Sequence, residues 1–173
     1  MTTPNTPDDF LIELLALDLD ACGRCKGTAA NLDAGVAAVA DVLRETGVNV
    51  RVVKHVVRTA DEAERLRFTA SPTIRLNGRD IAADHRESEC RDCGGGCGCA
   101  GVTCRVWAWR GQEYPEAPKA MIVDTLLRAY SDRQNAVADP GPYRLPDNLR
   151  GFFAGRAAKA AGGGCCEPAA CGC

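Results

Sequence analysis

Eleven cysteines dominate the chemistry that this sequence can perform, and they fall into three clusters. Cys22 and Cys25 form a C-x-x-C pair near the start of the chain. The second cluster contains Cys90, Cys93, Cys97, Cys99 and Cys104, and the third contains Cys165, Cys166, Cys171 and Cys173. Short spacing places several thiolates within reach of one soft metal ion or one redox partner. The clusters therefore indicate thiol redox chemistry or the handling of soft metals.

Composition excludes several other classes of function. The chain has 173 residues, 46% of them hydrophobic, and a formal net charge of -2. It contains no run of Lys or Arg, so we expect neither nucleic acid nor an acidic membrane surface as a partner. No signal peptide and no apolar stretch of ~20 residues is evident, which predicts a cytoplasmic protein. In a reducing compartment, clustered cysteines are more often catalytic or metal-binding than structural.

The hydrophobic pattern predicts a mixed α/β fold in the order β-α-β-α followed by β-β-α. The expected elements are strands at 10–20, 48–57, 73–78 and 104–109, a helix after the C-x-x-C pair, and helices at 61–68, 118–130 and 148–160. The 73–78 strand is expected to end in an Asn77–Gly78 turn, and Thr59 or Asp61 to cap the 61–68 helix. Phe152 and Phe153 are expected to dock the last helix on the body of the protein. Residues 1–9 are expected to be disordered, and 10–130 to form one domain with a Cys-rich insert at 84–104. Residues 131–173 are expected to be a linker, a short helix and a flexible Cys-rich tail. The insert is too polar and Gly-rich to build a core of its own.

The pair Cys22 and Cys25 is positioned for nucleophilic chemistry if the helix begins there. A cysteine at a helix N-terminus faces oriented N–H groups and the positive end of the dipole, and Arg24 adds positive charge. Both features favour the thiolate. Cys22 is therefore the expected nucleophile and Cys25 the resolving thiol.

The other two clusters leave several chemistries open. Four thiolates of the 90–104 group can close a tetrahedral zinc site with bonds of ~2.3 Å. Alternatively, Cys90 and Cys93 can act as a second dithiol that exchanges with the first pair, or two or three thiolates can capture As(III) or Hg(II). In the tail, the vicinal Cys165 and Cys166 together with Cys171 suit three-thiolate coordination, on a Gly-rich tether that raises the local thiolate concentration.

The C-x-x-C between a strand and a helix, followed by Ser71-Pro72-Thr73 before a β-hairpin, resembles the thioredoxin-like superfamily over about residues 10–130. In that superfamily the proline is cis and packs beside the dithiol, so the resemblance implies this role for Pro72. The 71–80 segment and the strand that begins at Cys104 are similar to a bacterial subgroup that includes a DUF2703-type family and proteins related to alkylmercury lyase. The C-C-x4-C spacing of the tail is similar to that of arsenic metallochaperones.

Together these features predict a thioredoxin-like thiol protein that captures or relays mercury or arsenic in detoxification. One alternative is a thiol–disulfide oxidoreductase that uses Cys22 and Cys25, an internal cysteine relay and a redox partner protein. Another is a binding module with structural Zn²⁺ in the insert. Whether the chain turns over a substrate stays open at this point.

Truncation of the chain after Ala161 tests the role of the tail. Because soft thiolates bind soft ions, removing the four tail cysteines is expected to lower the number of As(III) or Hg(II) ions bound per chain. Elemental analysis after dialysis gives that number, and thermal unfolding checks that the domain stays folded. An unchanged stoichiometry and affinity would exclude a role for the tail in ion binding.

Overall fold

The computed structural model describes residues 9–82, 84, 86–90, 102–132 and 142–160. Nearly all of the predicted disordered N-terminus, most of the Cys-rich insert and the Cys-rich tail lie outside the described residues. Seven strands are described, namely Phe10–Ala16 (β1), Val50–Val56 (β2), Thr73–Leu76 (β3), Arg79–Asp80 (β4), Arg86–Glu89 (β5), Thr103–Trp109 (β6) and Gln112–Tyr114 (β7). Four helices are described, namely Gly23–Glu45 (α1), Ala60–Arg65 (α2), Lys119–Ser131 (α3) and Asp147–Ala160 (α4).

The strands form two sheets. The first has the order β2-β1-β3-β4, with β1 parallel to β2 and antiparallel to β3, so it is a mixed sheet. The second is antiparallel, with the order β5-β6-β7. The predicted α/β class with a mixed sheet and flanking helices is confirmed. The identification with the thioredoxin-like superfamily stays a prediction.

The larger core cluster lies between the first sheet and the helices α1 and α3. Alternate residues of β1 enter it, because successive side chains of a strand point to opposite faces. Its buried members include Ile12 and Leu14 of β1, Leu32 and Leu43 of α1, Ile74 of β3, Trp107 of β6, and Ile122 and Leu126 of α3. These side chains fix α1, and therefore its N-terminus, against the sheet.

A second core cluster lies at the carboxyl end of β1 and includes the side chains through which α4 packs on the rest of the protein. Leu15, Leu17, Val57, Ala63, Phe68, Val102, Leu145, Leu149 and Phe153 are all buried in it. The Tyr143 hydroxyl adds a hydrogen bond of 2.7 Å to the Phe68 carbonyl. The prediction that Phe153 docks the last helix on the body is confirmed.

Two chain reversals explain where the elements begin and end. β1 ends at Ala16 rather than near residue 20, because the Asp18 carboxylate accepts the N–H groups of Asp20 and Ala21 at 2.7 Å each and turns the chain toward α1. The predicted Asn77–Gly78 turn joins β3 to β4, and both residues have the positive φ that such a hairpin turn requires.

The start of α2 is a reciprocal cap of the kind predicted for Thr59. The Glu62 N–H donates to Thr59 Oγ1 at 3.1 Å, and the Arg58 N–H donates to the Glu62 carboxylate at 2.7 Å. The hydrogen bond from Arg58 is the main cause that lowers the pKa of Glu62. The helix begins one residue before the predicted 61–68 and ends three residues earlier, at Arg65.

The strand β5 is the main departure from the predicted elements. The sequence analysis places the polar residues Arg86–Glu89 in an insert without a core. In the structure they instead form a strand that pairs with β6 in antiparallel orientation. The prediction that it lacks a core is consistent with its exposure, since three of its four residues are exposed. Directed polar contacts, described below, hold this strand in place.

The packing of α1 on α3 yields a stability prediction. A Cβ added at Gly35 would lie 2.9 Å from Cγ2 and 3.2 Å from Cβ of Ile122, whereas one at Gly27 would overlap only the movable end of the Glu116 side chain. Gly27→Ala is expected to be neutral or stabilising by up to ~1 kcal/mol through helix propensity. Gly35→Ala is expected to be about 1–3 kcal/mol less stable than Gly27→Ala, because the helices must separate. Urea unfolding measures both variants, and equal stabilities would contradict this packing.

Candidate thiol site

Cys22 is the N-cap of α1. Its backbone is extended (φ -74°, ψ 112°), and its Sγ accepts the Cys25 N–H at 3.4 Å. The sulfur thus has the capping role that is more common for Ser, Thr, Asp and Asn. At this position it lies at the positive end of the helix dipole, which favours the thiolate form. The predicted placement of Cys22 at a helix N-terminus is confirmed.

Two further sulfurs lie beside Cys22. The Sγ atoms of Cys22, Cys90 and Cys104 all lie within 4.8 Å of one another. The distance between Cys22 Sγ and Cys90 Sγ is 3.8 Å, well beyond the ~2.05 Å of a disulfide bond. Each of the three residues is at most 5% exposed. We call Cys22, Cys90 and Cys104 the thiol triad.

The triad regroups the cysteines that the sequence assigned to separate clusters. Cys22 comes from the first cluster, while Cys90 and Cys104 come from the second and flank the Gly-rich part of the insert. Cys90 follows β5 and its N–H donates to the Val102 carbonyl at 2.8 Å, while Cys104 lies in β6. The remaining predicted thiol ligands, Cys93, Cys97, Cys99, Cys165, Cys166, Cys171 and Cys173, lie outside the described residues.

Cys25 has different neighbours from the triad. Its Sγ lies 3.5 Å from Ser71 Oγ, which in turn accepts the Leu17 N–H at 3.1 Å. The Ser71–Pro72 peptide bond is cis, as the resemblance implies. Cys25 is buried in the same small cluster as the triad and Ala16 of β1, and Ser71 and Pro72 are themselves buried. The two cysteines of the C-x-x-C pair therefore have different neighbours: Cys22 lies beside Cys90 and Cys104, and Cys25 lies beside Ser71.

Arg24 connects the start of α1 to the second sheet. Its guanidinium donates to Ser88 Oγ at 2.8 Å and to the Glu89 carbonyl at 3.2 Å, with a longer contact of 3.5 Å to the Cys104 carbonyl. Sequence reasoning assigned Arg24 the role of adding charge beside Cys22. The structure adds a positional role, because these bonds hold the residues next to Cys90 against α1.

Arg105 joins the two sheets beside the triad, and sequence reasoning missed it. Its side chain is fully buried and makes two hydrogen bonds of 2.7 Å to the Asp80 carboxylate of β4. Its N–H donates to the Ser71 carbonyl at 2.7 Å, and its guanidinium lies 5.1 Å from the centre of the Trp107 ring. The available signal was an arginine at a central position of the otherwise apolar strand C-R-V-W-A-W.

Comparison with known proteins gives one match. The family described as "Domain of unknown function (DUF2703)" matches residues 10–126, which contain all of the thiol triad, so the DUF2703-type resemblance is confirmed. No curated protein and no solved structure matches the chain. Among the described residues, no helix combines the length and the apolar character needed to cross a membrane. The likeness of the tail to arsenic metallochaperones stays a prediction.

Removing the partner of Arg105 tests the joint between the sheets. Asp80→Asn leaves a buried guanidinium without its countercharge, so we expect a loss of about 3 kcal/mol in the free energy of unfolding, at the lower end of the range for buried pairs because Asp80 is 22% exposed. The double variant Asp80→Ala, Arg105→Met is expected to recover part of this loss.

The control for this prediction is Asp41→Asn, which breaks the exposed pair between Asp41 and Arg44 and should change stability by no more than ~0.5 kcal/mol. Urea unfolding measures all three variants. A loss at Asp80→Asn no larger than that of the control would show that the pair is not the joint we describe.

Proposed function

We propose that this chain, which belongs to the DUF2703 family, captures a soft thiophilic ion through Cys22, Cys90 and Cys104. The observation that carries the proposal is the close approach of three buried sulfurs, all within 4.8 Å of one another. They come from three different elements, so their proximity is a property of the fold rather than of local sequence. The ion is the cargo of the protein in this proposal.

The spacing of the sulfurs is suitable for a metal–thiolate complex. Bonds of ~2.3 Å to a tetrahedral ion place neighbouring sulfurs about 3.8 Å apart. The distance between the sulfurs of Cys22 and Cys90 is 3.8 Å. The remaining separations, up to 4.8 Å, require only a small inward movement of Cys104 or its neighbours.

The type and charge of the ligands narrow the choice of ion. Thiolates prefer soft ions such as Hg(II) and As(III) to Mg²⁺ or Ca²⁺. Three thiolates neutralise a trivalent ion and leave one negative charge on a divalent ion, and residual charge is costly in a buried site. Charge balance therefore favours As(III), while the N-terminus of α1 and Arg24 provide positive potential that also accommodates Hg(II).

Capture and relay require only ligand exchange. An incoming thiolate forms a bond to the ion as another thiolate leaves and takes up a proton, and no electron is transferred. The tail thiolates Cys165, Cys166 and Cys171 would collect the ion by this exchange and pass it to the triad. The biological role that follows is detoxification of arsenic or mercury in the cytoplasm.

A second function is favoured by the position of Cys22 and Cys25. A cysteine at a helix N-cap with a second thiol beside a cis-proline loop is the arrangement expected of a thiol–disulfide oxidoreductase. In that reaction Cys22 attacks a substrate disulfide, and Cys25 or the nearby Cys90 resolves the mixed disulfide. Both Cys22 and Cys25 are 0% exposed, so a protein disulfide could reach them only after local opening.

A variant with only four cysteines separates these functions. It carries serine in place of the cysteines outside the described residues, Cys93, Cys97, Cys99, Cys165, Cys166, Cys171 and Cys173. Cd(II) is the probe, because cadmium thiolates absorb in the ultraviolet. Structural zinc sites are worth roughly 10–16 kcal/mol over four ligands, so removing one thiolate by Cys90→Ser or Cys104→Ser is expected to weaken Cd(II) binding on the order of a hundredfold or more.

Cys25→Ser in the same background is the matched control, since Cys25 is not part of the triad. It is expected to leave Cd(II) binding close to that of the parent and to lower any disulfide-reductase activity, since Cys90 is then the only one of the two resolving thiols left. Stoichiometric binding of As(III) with release of thiol protons would extend the result to the proposed cargo. If Cys25→Ser weakens binding as much as Cys104→Ser does, the triad is not the site. If the parent binds no Cd(II) but reduces disulfides, the oxidoreductase function replaces the proposed one.

A further inference from the structure

The C-terminal helix α4 contacts the strand that contains Cys104 and the strand that Cys90 directly follows. It begins at Asp147 and therefore lies beyond residues 10–126, the segment matched by the family. We propose that Asn148 of this helix is a positioning residue of the thiol triad. The effect of Asn148 on ion binding rests on the proposed function, whereas its hydrogen bonds to the strands do not depend on any ion.

The Asn148 side chain binds both backbone groups of one strand residue. The Thr103 N–H donates to Asn148 Oδ1 at 3.1 Å, and Asn148 Nδ2 donates to the Thr103 carbonyl at 3.2 Å. Thr103 is the first residue of β6 and pairs with Glu89 of β5. The amide of Asn148 therefore takes the place of a neighbouring strand on the edge of β6, in a stretch that precedes its pairing with β7.

Of the two residues that flank Thr103, one is hydrogen-bonded to a triad cysteine and the other is a triad cysteine. Val102 accepts the N–H of Cys90 through its carbonyl at 2.8 Å, and Cys104 is itself a triad member. The backbone at 102–104 thus sets the positions of Cys90 and Cys104 relative to each other. A shift of this segment moves two of the three sulfurs with respect to Cys22, which α1 holds separately.

Asn148 also contacts β5 through Glu87. Asn148 Nδ2 donates to one oxygen of the Glu87 carboxylate at 3.3 Å, and the Thr103 hydroxyl donates to the other at 3.0 Å. Arg24 binds the same strand through Ser88 and the Glu89 carbonyl. The polar strand β5 is therefore held by α1 through Arg24 and by α4 through Asn148.

The helix that carries Asn148 is itself firmly anchored. Leu149, which follows Asn148, and Leu145, which precedes the helix, are buried in the cluster that also contains Val102 and Phe68. An amide on this helix can therefore fix the position of Thr103 rather than follow it. A residue of this kind, which orients metal ligands without touching the ion, typically contributes 10- to 100-fold in metal affinity.

Two substitutions in the four-cysteine variant test the proposal. Asn148→Ala removes all three hydrogen bonds. Asn148→Asp keeps the acceptor for the Thr103 N–H but places a carboxylate against Glu87 and the Thr103 carbonyl. Both are expected to weaken Cd(II) binding by about 10- to 100-fold, and Asn148→Asp by at least as much as Asn148→Ala.

Tyr143→Phe is the matched control, because it removes the hydrogen bond to the Phe68 carbonyl from the same C-terminal segment without touching β5 or β6. It is expected to lower thermal stability, although by less than Asn148→Ala because one hydrogen bond is lost rather than three, and to leave Cd(II) affinity close to that of the parent. If Tyr143→Phe weakens Cd(II) binding as much as Asn148→Ala does, the effect comes from lower stability and not from positioning, and the proposal is overturned. Unchanged Cd(II) affinity in both Asn148 variants would also overturn it.

A measurement without metal keeps this test separate from the proposed function. Mass-mapped alkylation of the metal-free protein reports the exposure of each thiol. Asn148→Ala is expected to raise the alkylation rates of Cys90 and Cys104 above those in Tyr143→Phe, with Cys22 changed less. That result supports the positioning role even if the parent binds no Cd(II), and unchanged rates at Cys90 and Cys104 would overturn it.

Discussion

The joint between the two sheets is the constraint on which the thiol triad depends. Cys22 is carried by a helix packed on the first sheet, while Cys104 lies in a strand of the second sheet and Cys90 directly follows another. Arg105 connects these parts twice, through its N–H to the Ser71 carbonyl and through its guanidinium to Asp80. Burying an arginine costs free energy unless its guanidinium is paired and hydrogen-bonded. The native arrangement of the two sheets, in which Arg105 meets Asp80, is therefore favoured over arrangements that separate this pair. The sulfurs are brought together as a consequence of that geometry.

Burial gives the triad properties that a surface cluster of cysteines lacks. Thiols are weakly polar, so Ala16, Leu19 and the cysteines pack as a small apolar cluster while the site is protonated. Deprotonation in the same place creates charge that the N-terminus of α1, Arg24 and a bound cation can offset. A buried thiol site is therefore stable without an ion, and as a site of the proposed kind it would bind most strongly those ions whose charge and softness match three sulfurs.

Local patterns predicted the positions of the elements but not the grouping of the cysteines. The N-cap at Cys22, the turn at Asn77 and Gly78, and the cap at Thr59 follow from side chains that act on their own neighbours in sequence. The strand β5 could not be predicted, because its residues are polar and the partners that hold it, β6 together with Arg24 and Asn148, are distant in sequence. For the same reason sequence proximity grouped Cys90 with Cys93, whereas the joint at Arg105 groups it with Cys22.

If the triad captures an ion as proposed, the route of that ion follows from the uneven anchoring of the three cysteines. Cys22 begins a helix that the main core holds, and Cys104 is fully buried in β6, which pairs with β5 over its first part and with β7 at its end. Cys90 follows β5, which has no buried residue and is held by its pairing with β6 and by polar side chains. Local opening costs least where few apolar contacts are lost, so β5 opens before α1 or β6 does. An ion captured as proposed would thus meet Cys90 first, and closing of β5 through Arg24 and Asn148 would complete the site.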